Sequence, residues 1–421
     1  MTIKVSSNLK NLARILKTDL YLVGGYVRNS YLNLPNYDID IASSLSIEQI
    51  FERLDGTIYN VKIRSIKMGT VEIFAPNEVY QHTTFRKDSY NLNGTHEPIN
   101  SKFVVDKSED ATRRDFTIND IYFNILSGEI YDKYNGIADI KTRTLKTIET
   151  PDKVFSEDGL RLLRLVRFAT ELKFNIDKDT YESAKKYARN LSAISGERKR
   201  NEIEQILNAS SKYYKDANPL YGIQLLYELH LMPKIFHIDK FKWKFNETDF
   251  LPIRNNLPKH LKLSCFLICL FNTINNVQKI DFDKFIQIVS SKNALNLSNK
   301  ETSHNAKLLK AFYFKDEISN LRKYIIKNQI VIDDLILILS AFNNTKLINA
   351  IKEERTKMQK EKVPLCIKDL KINGNDLNQN FEIEHSKIGT VLNKLLNICI
   401  FTPNLNNKED LLKLTAKILN N

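Results

Sequence analysis

Asp38 and Asp40 stand one residue apart in the run Tyr37-Asp38-Ile39-Asp40-Ile41. In an extended chain the period of two puts both carboxylates on one face and Tyr37, Ile39 and Ile41 on the other. Side by side, two carboxylates repel. A divalent cation between them offsets the repulsion, and hard oxygen donors suit Mg2+. Upstream, Gly24 and Gly25 follow the short apolar run Tyr21 to Val23 and lead into Val27 and Arg28. A glycine turn that opens a helix lets the backbone approach a ligand closely, so free N–H groups, the positive helix end and a guanidinium converge on one anion. Alone, the glycines read as a turn and the aspartates as a solvated or edge-guarding face. Together they are a phosphate cradle beside a cation site.

Other charged residues fall in patterned groups. Arg113, Arg114 and Asp115 precede the apolar, β-capable Phe116-Thr117-Ile118 and are expected at the mouth of a sheet. Glu157 and Asp158 precede Arg161, Arg164 and Arg167, whose spacing forms a basic stripe around part of one helix. Glu72, alone among apolar neighbours, reads equally as a third carboxylate near Asp38 and Asp40 or as a surface residue of an edge strand. The polar stretch from Gln81 to Phe103, with Arg86, Asp88, Gly94, His96 and Pro98, keeps no period and reads as a long mobile loop.

The elements that position these residues begin with a helix over residues 5–17, capped by Ser6 or Ser7 and burying Leu9, Leu12, Ile15 and Leu16. A helix over 46–54 turns Ile47, Ile50, Phe51 and Leu54 inward. Strands are expected at 57–63 and 70–74. After Pro151 strand signals nearly vanish and helical periods dominate. Ser195-Gly196-Glu197-Arg198 marks a turn between two packed helices, and 208–219 is a polar hinge.

The 421 residues suffice for several domains with real cores, and the net charge of +13 favours a polyanionic partner such as RNA or DNA. Cys265, Cys269, Cys366 and Cys399 show no CxxC spacing and read as buried thiols in a reducing compartment. The segment Met1 to Lys10 lacks an apolar core of signal-peptide length, and no apolar run approaches membrane-spanning length. A cytoplasmic protein is expected; its oligomeric state is not fixed by these patterns.

The glycine turn followed by the paired aspartates resembles the signature of the nucleotidyltransferase superfamily that includes DNA polymerase β. Taken with Arg113 to Asn119, with Glu157, Asp158 and Arg161, and with Glu197, Arg198 and Glu202, the chain resembles the bacterial class II tRNA nucleotidyltransferases, or CCA-adding enzymes, and the poly(A) polymerases close to them. The resemblance implies an α+β fold: a polymerase-β-like head with a mixed or antiparallel sheet over 1–150, then an all-α neck over 151–208, body over 209–300 and tail over 301–421. It implies that Asp38 and Asp40 hold Mg2+ and carry catalysis. Gly24, Gly25, Arg28, Arg113, Arg114, Asp115, Asn119, Asp158, Arg161, Arg164 and Arg167 would bind nucleotide, Asp158 and Arg161 reading the base edge and Glu157, Glu197 and Arg198 lending support. The implied substrates are CTP and ATP and the implied partner is tRNA, with no membrane. Poly(A) polymerase activity, CC-only or A-only addition, and a catalytically silent RNA-binding protein are the alternatives. Asn29 and Asp120 depart from the family pattern, which has an aspartate and a small residue there.

Overall fold

A computed structural model describes residues 3–238, 243–277, 280–313 and 321–420. The first helix, α1 (Ser7–Leu16), starts where the Ser6 hydroxyl accepts the Leu9 N–H, and it buries Leu9, Leu12 and Leu16. Strand β1 (Tyr21–Leu22) runs through the glycine turn into α2 (Gly25–Leu32), which ends ahead of Pro35. Strand β2 (Ile39–Ser43) follows, with Asp38 immediately before it. Helix α3 (Ile47–Leu54) opens on a capping box between Ser46 and Gln49. It buries Ile47, Ile50 and Leu54, but Phe51, expected inward, is 41 % exposed.

Strands β3 (Asn60–Ser65), β4 (Thr70–Ala75), β5 (Glu78–Thr84), β8 (Tyr122–Asn124) and β9 (Ile130–Tyr131) complete a seven-stranded mixed sheet in the order β3-β4-β5-β2-β1-β8-β9. Only the β2–β5 pair is parallel. The register aligns Ile41 with His82 and Val71, all buried, and puts Asp40, Gln81 and Glu72 on the opposite face. The sheet therefore buries one face and offers its carboxylates on the other.

The polar stretch from Gln81 to Phe103 is not a structureless loop. After β5 it folds into a hairpin of β6 (Arg86–Ser89) and β7 (Asn100–Phe103), in register Arg86 with Phe103 and Asp88 with Ser101. Arg86 Nε lies 3.0 Å from Asp88 Oδ1, which also accepts the Ser101 hydroxyl at 2.6 Å. These strands satisfy their inward positions with ion pairs, so they carry no apolar alternation. Helix α4 (Lys107–Ala111) follows. The Phe116-Thr117-Ile118 run is a bridge residue and a 3-10 turn (Thr117–Asn119); the strand of this region is β8.

Helix α5 (Gly136–Thr142) and strand β10 (Thr144–Leu145) lead into α6 (Pro151–Glu157) and α7 (Leu160–Leu172). Strand β11 (Asn175–Ile176) pairs in parallel with β10, and it is followed by α8 (Lys178–Lys186), α9 (Gly196–Leu207) and α10 (Pro219–Glu228). Helix α7 packs against α9 and α10, burying Leu162, Leu163, Leu165, Val166 and Phe168.

The chain divides into two compact units, one of Met1–Arg254 with Leu270–Ser298, the other of Asn255–Cys269 with Asn299–Asn421. The second is helical and has a core that includes Leu370, Leu377, Leu395 and Leu411. Residues 314–320, expected in the helical tail, lie outside the described residues. All four cysteines are free, and Cys366 is exposed rather than buried. Among the described residues no helix is long and apolar enough to cross a membrane.

Candidate functional site

Gly24 adopts φ +67°, where an L side chain is strained, and a Cβ there would stand 3.7 Å from Asp40 Oδ2. The Val23 N–H donates to the Asp40 carbonyl at 3.0 Å, tying the turn to β2. No side chain caps the α2 N-terminus, so its first N–H groups stay open to a ligand. Behind the turn, the buried Arg28 guanidinium donates to Asn119 Oδ1 at 2.6 Å and to Asn29 Oδ1 at 2.8 Å. Asn29 in turn donates to the Pro35 carbonyl at 3.1 Å. An amide here keeps Arg28 fixed without neutralising it, though burial lowers its pKa.

A cleft of about 510 Å³ opens beside this turn. Gly24, Gly25, Arg28, Asp38, Asp40, Arg113, Arg114, Asp115, Asn119, Asp158, Arg161, Arg164 and Arg167 all line it, so it unites every expected catalytic and nucleotide-binding residue. The Asp38 and Asp40 carboxylates make no hydrogen bond or ion pair among the described residues. Burial, with Asp38 nearby, pushes the Asp40 carboxyl up against the pull of Arg114. An unsatisfied carboxylate pair with a raised acid is a donor set short of a cation, which fits a divalent metal. Glu72 faces the same side of the sheet but is engaged by Arg64, and β4 is an interior strand rather than an edge. Among the described residues no cluster of three or more His, Cys, Asp or Glu side chains could hold a metal.

The arginines of α7 are anchored, not solvated. Arg164 reaches Asp115 Oδ2 at 2.6 Å, and Arg167 reaches Glu202 at 2.6 Å. Burial alone would raise Asp115, but Arg164 more than offsets it, and the carboxyl ends below its ordinary value. Phe168 has Arg28, Arg164 and Arg167 over its ring, with centroid distances of 5.3, 5.3 and 4.3 Å. Arg161, 3 % exposed, donates to the carbonyls of Val154 at 3.1 Å and Arg113 at 2.7 Å, and to Glu157 at 3.3 Å. It is as much a tie between α6, α7 and the double arginine as a group facing the cleft.

Asp158 Oδ1 accepts the Leu160 N–H at 2.8 Å, and Oδ2 faces His96 Nδ1 at 2.8 Å and Arg161 Nε at 3.8 Å. Against burial, the His96 hydrogen bond and charge hold this carboxyl below its usual value. His96 and Tyr90, which lies 5.6 Å below the Arg161 guanidinium, both come from the β6–β7 tip. Tyr213, whose hydroxyl is 3.4 Å from Arg28 and 3.3 Å from Asn29, comes from the segment after α9. The chain pattern gave no signal for Tyr90 or Tyr213. Glu157 lies behind the cleft, Glu197 is exposed and away from it, and Arg198 stands 3.8 Å from Glu97 of the hairpin tip.

Residues 20–146 match the poly A polymerase head domain, and residues 173–238 match the "Probable RNA and SrmB- binding site of polymerase A". Fold, cleft and head domain define a nucleotidyltransferase. A CCA-adding enzyme of Ligilactobacillus salivarius is 29 % identical over 95 % of this chain and 93 % of its own. One of Streptococcus thermophilus is 39 % identical over 45 % of this chain and 46 % of its own, so that match spans about half of each. The Bacillus stearothermophilus CCA-adding enzyme solved with CTP has the same fold, with a TM-score of 0.76 at 22 % identity over 98 % of this chain and 97 % of that one. The chain is thus similar along most of its length to bacterial CCA-adding enzymes, and over its head and the segment after it to the poly A polymerase models.

Proposed function

We propose that this protein adds CMP, CMP and AMP to the 3′ end of tRNA, from CTP and ATP and without a nucleic-acid template. The observation that carries this reading is the convergence, on one cleft, of the glycine turn, the paired aspartates and the Asp158–Arg161 pair. Relatives named CCA-adding enzymes, and solved structures of such enzymes with CTP, with ATP and with tRNA, support it.

In this reading Asp38 and Asp40 hold Mg2+, which when bound supplies charge to activate the attacking hydroxyl and to neutralise the leaving group. The open N–H groups of α2 and the Arg114 and Arg164 guanidiniums bind the triphosphate; Arg113 and Asn119 hold their neighbours in place. The 3′ hydroxyl of the RNA attacks the α-phosphate, and pyrophosphate leaves. Asp158 accepts from the exocyclic amine that C and A share, while Arg161 donates to ring acceptors. G and U present a carbonyl at that position and would leave the carboxylate against another acceptor. Phe168 offers the base or ribose an apolar floor.

We assign 1–150 as catalytic head, 151–208 as base-reading neck, 209–300 as body and 301–421 as the tail that carries tRNA through its surplus of basic residues, in a cytoplasmic setting. Arg198, near the hairpin tip, and Glu197 would support the neck. Incubating tRNA that lacks its 3′ end with CTP, ATP or both, and sizing the products, tests the reading. Two additions with CTP and three with both are expected. A long A tract would instead mark a poly(A) polymerase, additions limited to C or to A a specialist, and none a silent RNA-binding protein.

A further inference from the structure

Asp120 follows the 3-10 turn that carries Asn119, and it is 0 % exposed. Neither of its carboxylate oxygens has a hydrogen-bond partner among the described residues. Arg114 Nε lies 3.4 Å from Oδ1, but its N–H is directed to the Tyr122 hydroxyl at 2.8 Å. Of the rest of that guanidinium, Nη2 donates to Asp110 Oδ2 at 3.2 Å, and Nη1 reaches the Asn119 carbonyl at 3.5 Å while approaching, at the edge of the cleft, within 4.0 Å of the position a Gly24 Cβ would take. One cation therefore stands between two buried carboxyls and the phosphate cradle.

The two carboxyls are not equivalent. Asp110 accepts from Arg113, Arg114, the Tyr122 hydroxyl and the Arg86 N–H, which together overcome burial and hold it far below the usual range. Asp120 receives none of these donors. Burial first, then the charges of Asp110 and Asp115, push it up to about 8 against Arg114 and Arg113. The other titratable groups that face it, Tyr122, Tyr131 and Tyr134, are themselves raised by burial and stay neutral at that pH.

Building on the nucleotide-binding reading of the cleft, we propose that Asp120 is a positioning residue that acts through Arg114, its proton setting how much of the Arg114 charge the cleft can offer to a polyphosphate. With the proton on, Asp110 is the one carboxylate among the described residues that engages the guanidinium, whose other partners, the Tyr122 hydroxyl and the Asn119 carbonyl, are neutral, and Nη1 keeps its field toward Gly24 and Gly25. With the proton lost, a second buried anion pulls on the same cation and cancels its charge as felt from the cleft. Linkage makes the effect reciprocal: bound triphosphate holds the proton on Asp120, and each unit of that coupling appears as about a tenfold loss of affinity across the titration.

The test is equilibrium binding of CTP to the full chain and to its Asp120→Asn variant, which keeps the shape and fixes the neutral form, from about pH 7 to about pH 9. Both proteins should bind alike at the low end, and the parent should then lose about three- to tenfold more affinity than the variant. Parallel curves, or a variant already weak at the low end, would overturn the proposal while leaving nucleotide binding intact. Failure of both proteins to bind CTP at any pH would overturn the underlying reading and this proposal with it. Infrared absorption of the parent gives a measurement independent of the variant's folding. A protonated-carboxyl stretch present near pH 7 and lost by about pH 9 supports the assignment, and its absence near pH 7 overturns it.

Discussion

Replacing Gly94 by alanine should undock the β6–β7 tip from the neck. Gly94 sits at φ +77°, its N–H donates to the Ser156 carbonyl at 2.8 Å, and its carbonyl accepts the Gly159 N–H at 2.8 Å. These two bonds stabilise docking by about 1 kcal/mol each, and the His96–Asp158 contact adds about 1.5–3 kcal/mol. Alanine in the left-handed region costs about 1–2 kcal/mol. Its Cβ would also meet Asn190 Cβ at 2.3 Å and Cα at 3.0 Å. Asn190 is buried and held by a 2.9 Å bond to the Phe155 carbonyl, so overlap adds about 1–3 kcal/mol. The penalty, about 2–5 kcal/mol, rivals the whole docking energy. Hydrogen exchange at the Gly159 amide should then accelerate by at least about 30-fold. Because the tip brings His96 to Asp158 and Tyr90 to Arg161, CMP addition should persist while AMP addition fails, as it should when the tip is shortened. A variant whose Gly159 amide exchanges at the parent's rate would refute the latch.

Asp38→Ala or Asp40→Ala should abolish transfer while thermal stability and tRNA binding hold, because neither carboxylate has a partner among the described residues; turnover near the parent's in Mg2+ would reject the metal assignment. Arg161→Ala should relax discrimination against GTP and UTP by about 1–3 kcal/mol and also lower the melting temperature, since it strands the Val154 and Arg113 carbonyls. Unchanged selectivity would leave it a purely structural tie. Lys199 is buried, with its ammonium on the carbonyls of Asn293 and Lys234, and burial lowers it to about 8 from 10.5. The charged form is disfavoured in the fold, so the destabilisation is full below about pH 8 and relieved as pH rises toward 10.5. The stability difference between parent and Lys199→Met, followed by urea unfolding, should therefore shift in the parent's favour over that window; a difference independent of pH would contradict it.

The glycine turn and the Asp38–Asp40 pair were legible because their chemistry is local: a turn, a helix start and a strand, each set by a few consecutive residues. Helices α1 and α3 were legible from apolar spacing, α1 also from its serine cap, and Phe51 was misjudged because its position lies at the edge of the apolar stripe. The β6–β7 hairpin was invisible to a search for apolar alternation, since Arg86 and Asp88 neutralise each other at the inward positions. Arg161, Arg164 and Arg167 showed in the sequence only as a basic stripe, because their partners, Arg113, Asp115 and Glu202, are distant in the chain. The same distance hid the approach of His96 to Asp158 and of Tyr213 to Arg28.

The central claim is that the protein itself reads the base in this cleft. Equilibrium binding of CTP, ATP, GTP and UTP to the RNA-free chain in Mg2+ tests it most directly. CTP and ATP should bind, and GTP and UTP should bind at least about tenfold more weakly, the lower end of what one lost base contact costs. Equal affinity for all four, or binding that Asp158→Ala leaves unchanged in its preference, would contradict the account.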